Sequence, residues 1–141
     1  MWTEKLDKVN KIISDYGTTP SLGIELSIDS DEVKQVFEIF GYSLPQEYLR
    51  FLRRVNGFDF NGCSILGIGN SNDTQLDLVD NNTLFRKNGY DYFLYGTSSL
   101  YWYVDKGDYI FCQMDEAGDV IIEYASFDDM VEAILDESLD F

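Results

Sequence analysis

The chain predicts a single α+β domain spanning 1–141, with N-terminal helices packed on a mainly antiparallel sheet and a C-terminal helix closing the fold. Three observations carry this. Apolar residues recur at three- and four-residue steps as far as Val55, the pattern then shifts to short aromatic and β-branched runs broken by turns, and a helical period returns after Ser126. At 141 residues the chain is too short for two ordinary cores. Hydrophobic residues at 45% and charged residues at 26% place it among globular rather than disordered chains.

The first element is an amphipathic helix on Trp2, Leu6, Val9, Ile13 and Tyr16, ended by Gly17. Ile24, Leu26 and Ile28 alternate as a short strand or extended arm. Asp29 and Glu32 form a capping box for a second helix with the stripe Val33, Val36, Phe37, Phe40. Ser43 and Gln46 can cap a third, with Pro45 in its first turn and Tyr48, Phe51, Leu52 and Val55 inward. Arg50, Arg53 and Arg54 share its other face, either solvated or paired with the acidic half of the chain. Phe58–Phe60, the turn Asn61-Gly62 and Cys63–Ile68 read as a hairpin. Residues 69–91 are polar, with five Asn, and hold an irregular helix around Leu76, Val79 and Leu84. Four strands follow as a meander: Tyr92–Tyr95, Leu100–Val104, Tyr109–Met114 and Val120–Tyr124. Ser126 then caps a helix carrying Phe127, Met130, Val131, Ile134 and Leu135.

Charge and residue types exclude several functions. There are 26 acidic against 10 basic side chains, a formal charge of −16, so a phosphate backbone is repelled and nucleic-acid binding is not expected. The absence of His removes Ser-His-Asp and Cys-His nucleophile systems and every His-ligated metal site. The acid is uneven: residues 1–70 carry net −3 and residues 71–141 net −13. Such a field can steer a basic partner, or can simply maintain solubility. Cys63 and Cys112 offer no Cys-x-x-Cys spacing and read as buried free thiols rather than a disulfide. The start Met-Trp-Thr-Glu-Lys has no apolar signal segment, and the aromatic run Tyr92–Val104 is too short and polar to span a bilayer. A cytoplasmic setting is expected, with no membrane contact, no metal and no cofactor.

At the second and third helices a signature emerges: Gly41-x-x-Leu44-Pro45-x-x-Tyr48-x-x-Phe51-Leu52-x-x-x-Asn56-Gly57. It resembles that of the SUKH superfamily, which includes the Smi–Knr glucan-synthesis regulators. The leading Trp-bearing helix, the acid–Gly turn Asp115–Asp119 and the closing Ser126-Phe127 helix are similar too. The resemblance implies a binding role without catalytic residues. Bacterial members are largely immunity proteins that neutralise a polymorphic toxin, often a nuclease, and fungal members regulate wall synthesis through protein partners. The eight matched positions carry over as fold determinants only. Residues 69–91 match no motif, which leaves room for a partner-specific loop.

The candidate partner-binding residues are Tyr101, Tyr103, Asp105, Asp108, Asp115, Glu116 and Asp119. Nine aromatic residues fall within 22 positions, 90–111. Strand alternation sets Leu100, Trp102 and Val104 against Tyr101 and Tyr103. If the Trp102 set packs on the helices, the two tyrosines lie on an outer face beside turn acids, which suits a protein-binding surface. If both faces are covered, they bury their rings. The turn acids lack the calcium-loop pattern and are either solvated or ready for Lys and Arg of a partner. The expectation is a non-enzymatic acidic interaction module, an immunity protein for a basic toxin domain. The alternatives are a wall- or glucan-synthesis regulator and a small carboxylate hydrolase, for which no particular acid pair stands out.

Overall fold

A computed structural model describes residues 2–69 and 74–140. The α+β expectation holds: helices α1 (Trp2–Asp15), α2 (Asp31–Phe40) and α3 (Gln46–Arg54) precede strands β1 (Phe58–Phe60) and β2 (Cys63–Ile65). A 3-10 turn (Thr74–Leu76) and α4 (Leu78–Lys87) lead to β3 (Phe93–Thr97), β4 (Trp102–Asp105), β5 (Phe111–Met114) and β6 (Val120–Glu123), and α5 (Phe127–Ser138) closes the fold. The six strands form one antiparallel sheet in sequence order, β1 and β6 at its edges.

Most elements sit where the pattern puts them, and the departures have local causes. In α1, Trp2, Leu6 and Val9 are buried, but Tyr16 lies beyond the last turn and is exposed. Helix α2 starts at Asp31 with Ser30 as its cap residue, so the Asp29–Glu32 box does not form; the Ser30 hydroxyl instead accepts from the Ser27 amide. Pro45 takes the cap position of α3, and no Ser43 side-chain cap is made. Residues 24–28 are an extended arm rather than a strand, held where the Ile24 amide donates to the Leu52 carbonyl. Two of the three arginines pair within the first half of the chain, Arg53 with Glu25 and Arg54 with Asp7, and Arg50 is exposed. Asn61-Gly62 makes the expected turn, both residues at positive φ. Helix α4 is regular, capped by the Asp77 carboxylate on the Asp80 amide; it buries Leu78, Asn82 and Phe85 while Leu84 points outward. The stretch 70–73, within the polar segment read as a partner loop, lies outside the described residues.

Helices cover both faces of the sheet. Trp102 meets Phe85 of α4, whereas its neighbour Tyr103 donates from its hydroxyl to Glu137 of α5 at 2.6 Å. Helices α1 and α3 pack on α5, on the Tyr103 side. The core there is aromatic: Tyr48, Tyr95, Phe111 and Phe127 meet edge to face at 5.0–5.9 Å. Such pairs add about 0.5–1.5 kcal/mol each beyond their buried area.

The signature residues serve this packing. Gly41 ends α2 in the left-handed region, its amide on the Phe37 carbonyl. Tyr48, wholly buried, donates to the Leu66 carbonyl at 2.6 Å. Leu44, Phe51 and Leu52 are core residues. Asn56 serves both backbone groups of Ile68, donating to its carbonyl and accepting from its amide, each at 2.8 Å. Gly67 lies so close that an added Cβ would sit 2.5 Å from the Asn56 carbonyl oxygen.

Cys63 and Cys112 are buried free thiols. Burial pushes the Cys63 thiol up to about 11 and raises that of Cys112 too. With little thiolate and no access, both are expected to resist Ellman's reagent at pH 8 in the native protein and to react together in denaturant. Rapid native labelling of either would contradict the packing.

Candidate functional site

The two turns flanking β5 divide the predicted residues. Asp105 and Asp108 lie at one end of the strand. Asp115, Glu116, Asp119 and Tyr101 lie at the other, roughly 13 Å away along the strand. They do not form one cluster.

Two of them are not on the surface. Tyr103 is 1% exposed and Asp105 2%. The outer tyrosine face does not exist, because α5 covers the side of the sheet that Tyr103 occupies. Its hydroxyl also receives the Gln113 amide. Tyr101, at the start of the strand, stays half-buried.

Asp105 is structural in a specific way. Its Oδ1 accepts from the Gly107 amide at 2.8 Å and its Oδ2 from the Tyr42 hydroxyl at 2.6 Å; Tyr42 in turn receives the Tyr95 hydroxyl. Burial first, then the carboxylate, raise the Tyr42 phenol far above its usual range, which keeps the donor protonated. This arrangement forms the turn 105–108 and delivers Asp108 and Tyr109 to the surface, both at positive φ without being glycine. Residues held in the left-handed region cost on the order of 1–3 kcal/mol each and cluster at functional sites. The Tyr109 hydroxyl latches the turn to the α2–α3 junction through the Ser43 carbonyl at 2.7 Å.

Beside this latch runs a groove of about 490 Å³, lined by Ile28, Leu44, Pro45, Glu47, Tyr109, Phe111, Ala125 and Phe127. A second hollow of about 290 Å³ shares Ile28 and Leu44 and extends it over Val33, Phe37 and Glu38, with Lys34 at its edge. Ile28, Phe37 and Tyr109 are large and substantially exposed. The walls are therefore mainly apolar, with Ser43, Gln46 and Ser126 among their residues; Glu38 and Glu47 also line them, and Asp108 is exposed beside Tyr109. Such a concavity takes an apolar side chain flanked by Lys or Arg. Sequence reading missed it because its parts come from the arm, the α2–α3 junction and the β4–β5 turn, and no periodicity links them.

At the far end of β5, Asp115 is committed to its own turn, its Oδ1 accepting from the amides of Ala117 and Asp119 at 3.0 Å. Glu116 and Asp119 are exposed. Among the described residues no group of three or more Cys, Asp or Glu side chains is placed to hold a metal ion, and no helix is long and apolar enough to cross a membrane.

A search of curated proteins returned no match at a significant level. The family model for the SMI1 / KNR4 family (SUKH-1) matches residues 27–133, from the arm through the signature and the sheet into α5. The chain belongs to the SMI1 / KNR4 family (SUKH-1).

Proposed function

We propose that the chain is a non-enzymatic, acidic protein-binding module that acts as an immunity protein, engaging a basic toxin domain, often of nuclease type, in the cytoplasm. The observation that carries this reading is the mainly apolar groove whose lining includes Glu38 and Glu47, with Asp108 exposed beside its Tyr109, in a protein of this family. Apolar contact supplies affinity, and the −16 charge supplies steering and discrimination against acidic partners. Of the residues chosen from sequence, Asp108 stays beside the proposed surface, while Tyr101, Asp115, Glu116 and Asp119 lie at the other end of β5. Tyr103 and Asp105 act beneath it. A wall- or glucan-synthesis regulator would use the same surface on a different partner.

Immobilised protein exposed to lysate of the source organism, washed at rising salt, should release a basic toxin domain whose activity the protein suppresses. The triple variant Glu38→Lys, Glu47→Lys, Asp108→Asn should weaken that complex by about tenfold or more, chiefly in its association rate, with unchanged thermal stability. A non-toxic partner from envelope synthesis would replace the immunity reading by the regulator. Unchanged affinity of the variant would remove the groove.

A further inference from the structure

The two edges of the sheet differ. At β1 the middle residue is the exposed Asp59, and Asn61 donates to the Ser138 and Asp140 carbonyls, tying the hairpin to the end of α5. Charge on an edge strand and a covering element are ordinary ways of blocking further pairing. At β6 the charge is confined to Glu123 at the strand's end, and among the described residues no further strand pairs with it. All four residues are exposed, and three are large and apolar: Val120 at 37%, Ile121 at 48% and Ile122 at 46%. Among the described residues β5 alone pairs with this strand. A register shift opposite Gln113 and Met114 shortens the regular ladder, which suits a brief pairing rather than a long one.

We propose that β6 is a strand-addition site for an extended partner segment that alternates Lys or Arg with apolar residues. This deepens the protein-binding reading above and rests on it for the partner's basic character. The outer amides and carbonyls of an edge strand call for another backbone, and a strand supplies the whole set at once. The apolar positions supply contact for the partner's alternate side chains. Acid brackets the strand, with Glu116 and Asp119 before it and Glu123 at its end, the last already paired with Lys106. The same acids oppose a second copy of this chain, which would bring another −16 to the contact. The strand also leads straight into Ala125 and Phe127 of the groove, so one extended segment can occupy both.

The test uses the full chain and a capped peptide alternating Lys with Val, beside the same peptide N-methylated at every second amide. The unmodified peptide should slow amide exchange at 120–123 by about tenfold or more, and N-methylation should cost about tenfold in affinity. Ile122→Lys, an exposed change that leaves the circular dichroism of the fold intact, should weaken the peptide equally. Equal binding of both peptides, protection confined to the groove, or no binding at low salt overturns the proposal. So does a concentration-dependent dimer with β6 protected, which makes a second copy the occupant. A toxin domain that binds wild type and Ile122→Lys alike removes strand addition and leaves the immunity reading standing. Peptide addition without any toxin captured does the reverse.

Discussion

Raising the pH from 10 to 11 is expected to strip the fold of a large share of its stability, with cooperative unfolding as the pH rises further. Tyr48, Tyr95 and Tyr103 are all but inaccessible, and burial, more than any neighbouring charge, raises each phenol above its ordinary value. The carboxylate of Glu137 adds to the effect at Tyr103, and burial pushes Tyr124 up to about 12. The sign follows from which state loses protons first. In the unfolded chain these phenols ionise near 10, while the folded state holds their protons. Their contribution is complete below pH 10 and declines as pH rises above it. One unit higher, three such groups remove up to about 4 kcal/mol from a total that for domains of this kind is roughly 5–15 kcal/mol. Phenolate absorbance should rise in two stages, exposed tyrosines first and the rest together with loss of circular dichroism. A single smooth titration near pH 10 with the fold intact would show that the aromatic core is open to water.

The second large effect concerns one amide. Asn82, on α4 and wholly buried, donates to the Leu94 carbonyl at 2.9 Å and accepts from the Leu94 amide at 2.7 Å. Strand β2 pairs with β3 only at Gly96 and Thr97, so at Leu94 the side chain stands where a neighbouring strand would be. It also donates to the Leu78 carbonyl of its own helix. Replacing Asn82 by Leu keeps the branching and the number of heavy atoms and orphans two buried backbone groups, each costing about 1–3 kcal/mol. A loss of roughly 3 kcal/mol or more in urea unfolding is expected, against almost nothing for the exposed Leu84→Ala on the same helix. Equal stability of the two variants would mean that β3 needs no such closure.

Asn82 also shows where sequence reading stops. The period of α1, the Asn61-Gly62 hairpin, the four-strand meander and the Ser126-capped helix were legible because each is decided by neighbours in the chain. A buried Asn has no periodic signature: within a polar stretch holding five of them, nothing marks the one that faces inward. Leu84 misled for the complementary reason, being apolar and outward. Tyr103 turned on a three-dimensional fact, that α4 covers one face of the sheet and α5 the other. Alternation told which residues share a side and left open how many sides are dry. The groove lay further out of reach, since it joins residues as far apart as Ile28 and Phe127. The run Val120-Ile121-Ile122 was legible as a strand of the meander, and only its place at the end of the sheet order shows that it is exposed.

The contact between α1 and α5 sets an order of events during synthesis. Trp2 packs on Phe51 and donates its indole N–H to Asp128, 126 positions later, and Lys5 bridges Glu132 and Asp136. The apolar stripe of α1 therefore emerges from the ribosome long before the helix that covers it. The meander between them joins only consecutive strands, so it can assemble as it is made, hairpin by hairpin. Phe51 of α3 can meet Trp2 early, but the main cover of the α1 stripe comes only with α5, so the last helix both completes the domain and closes that surface.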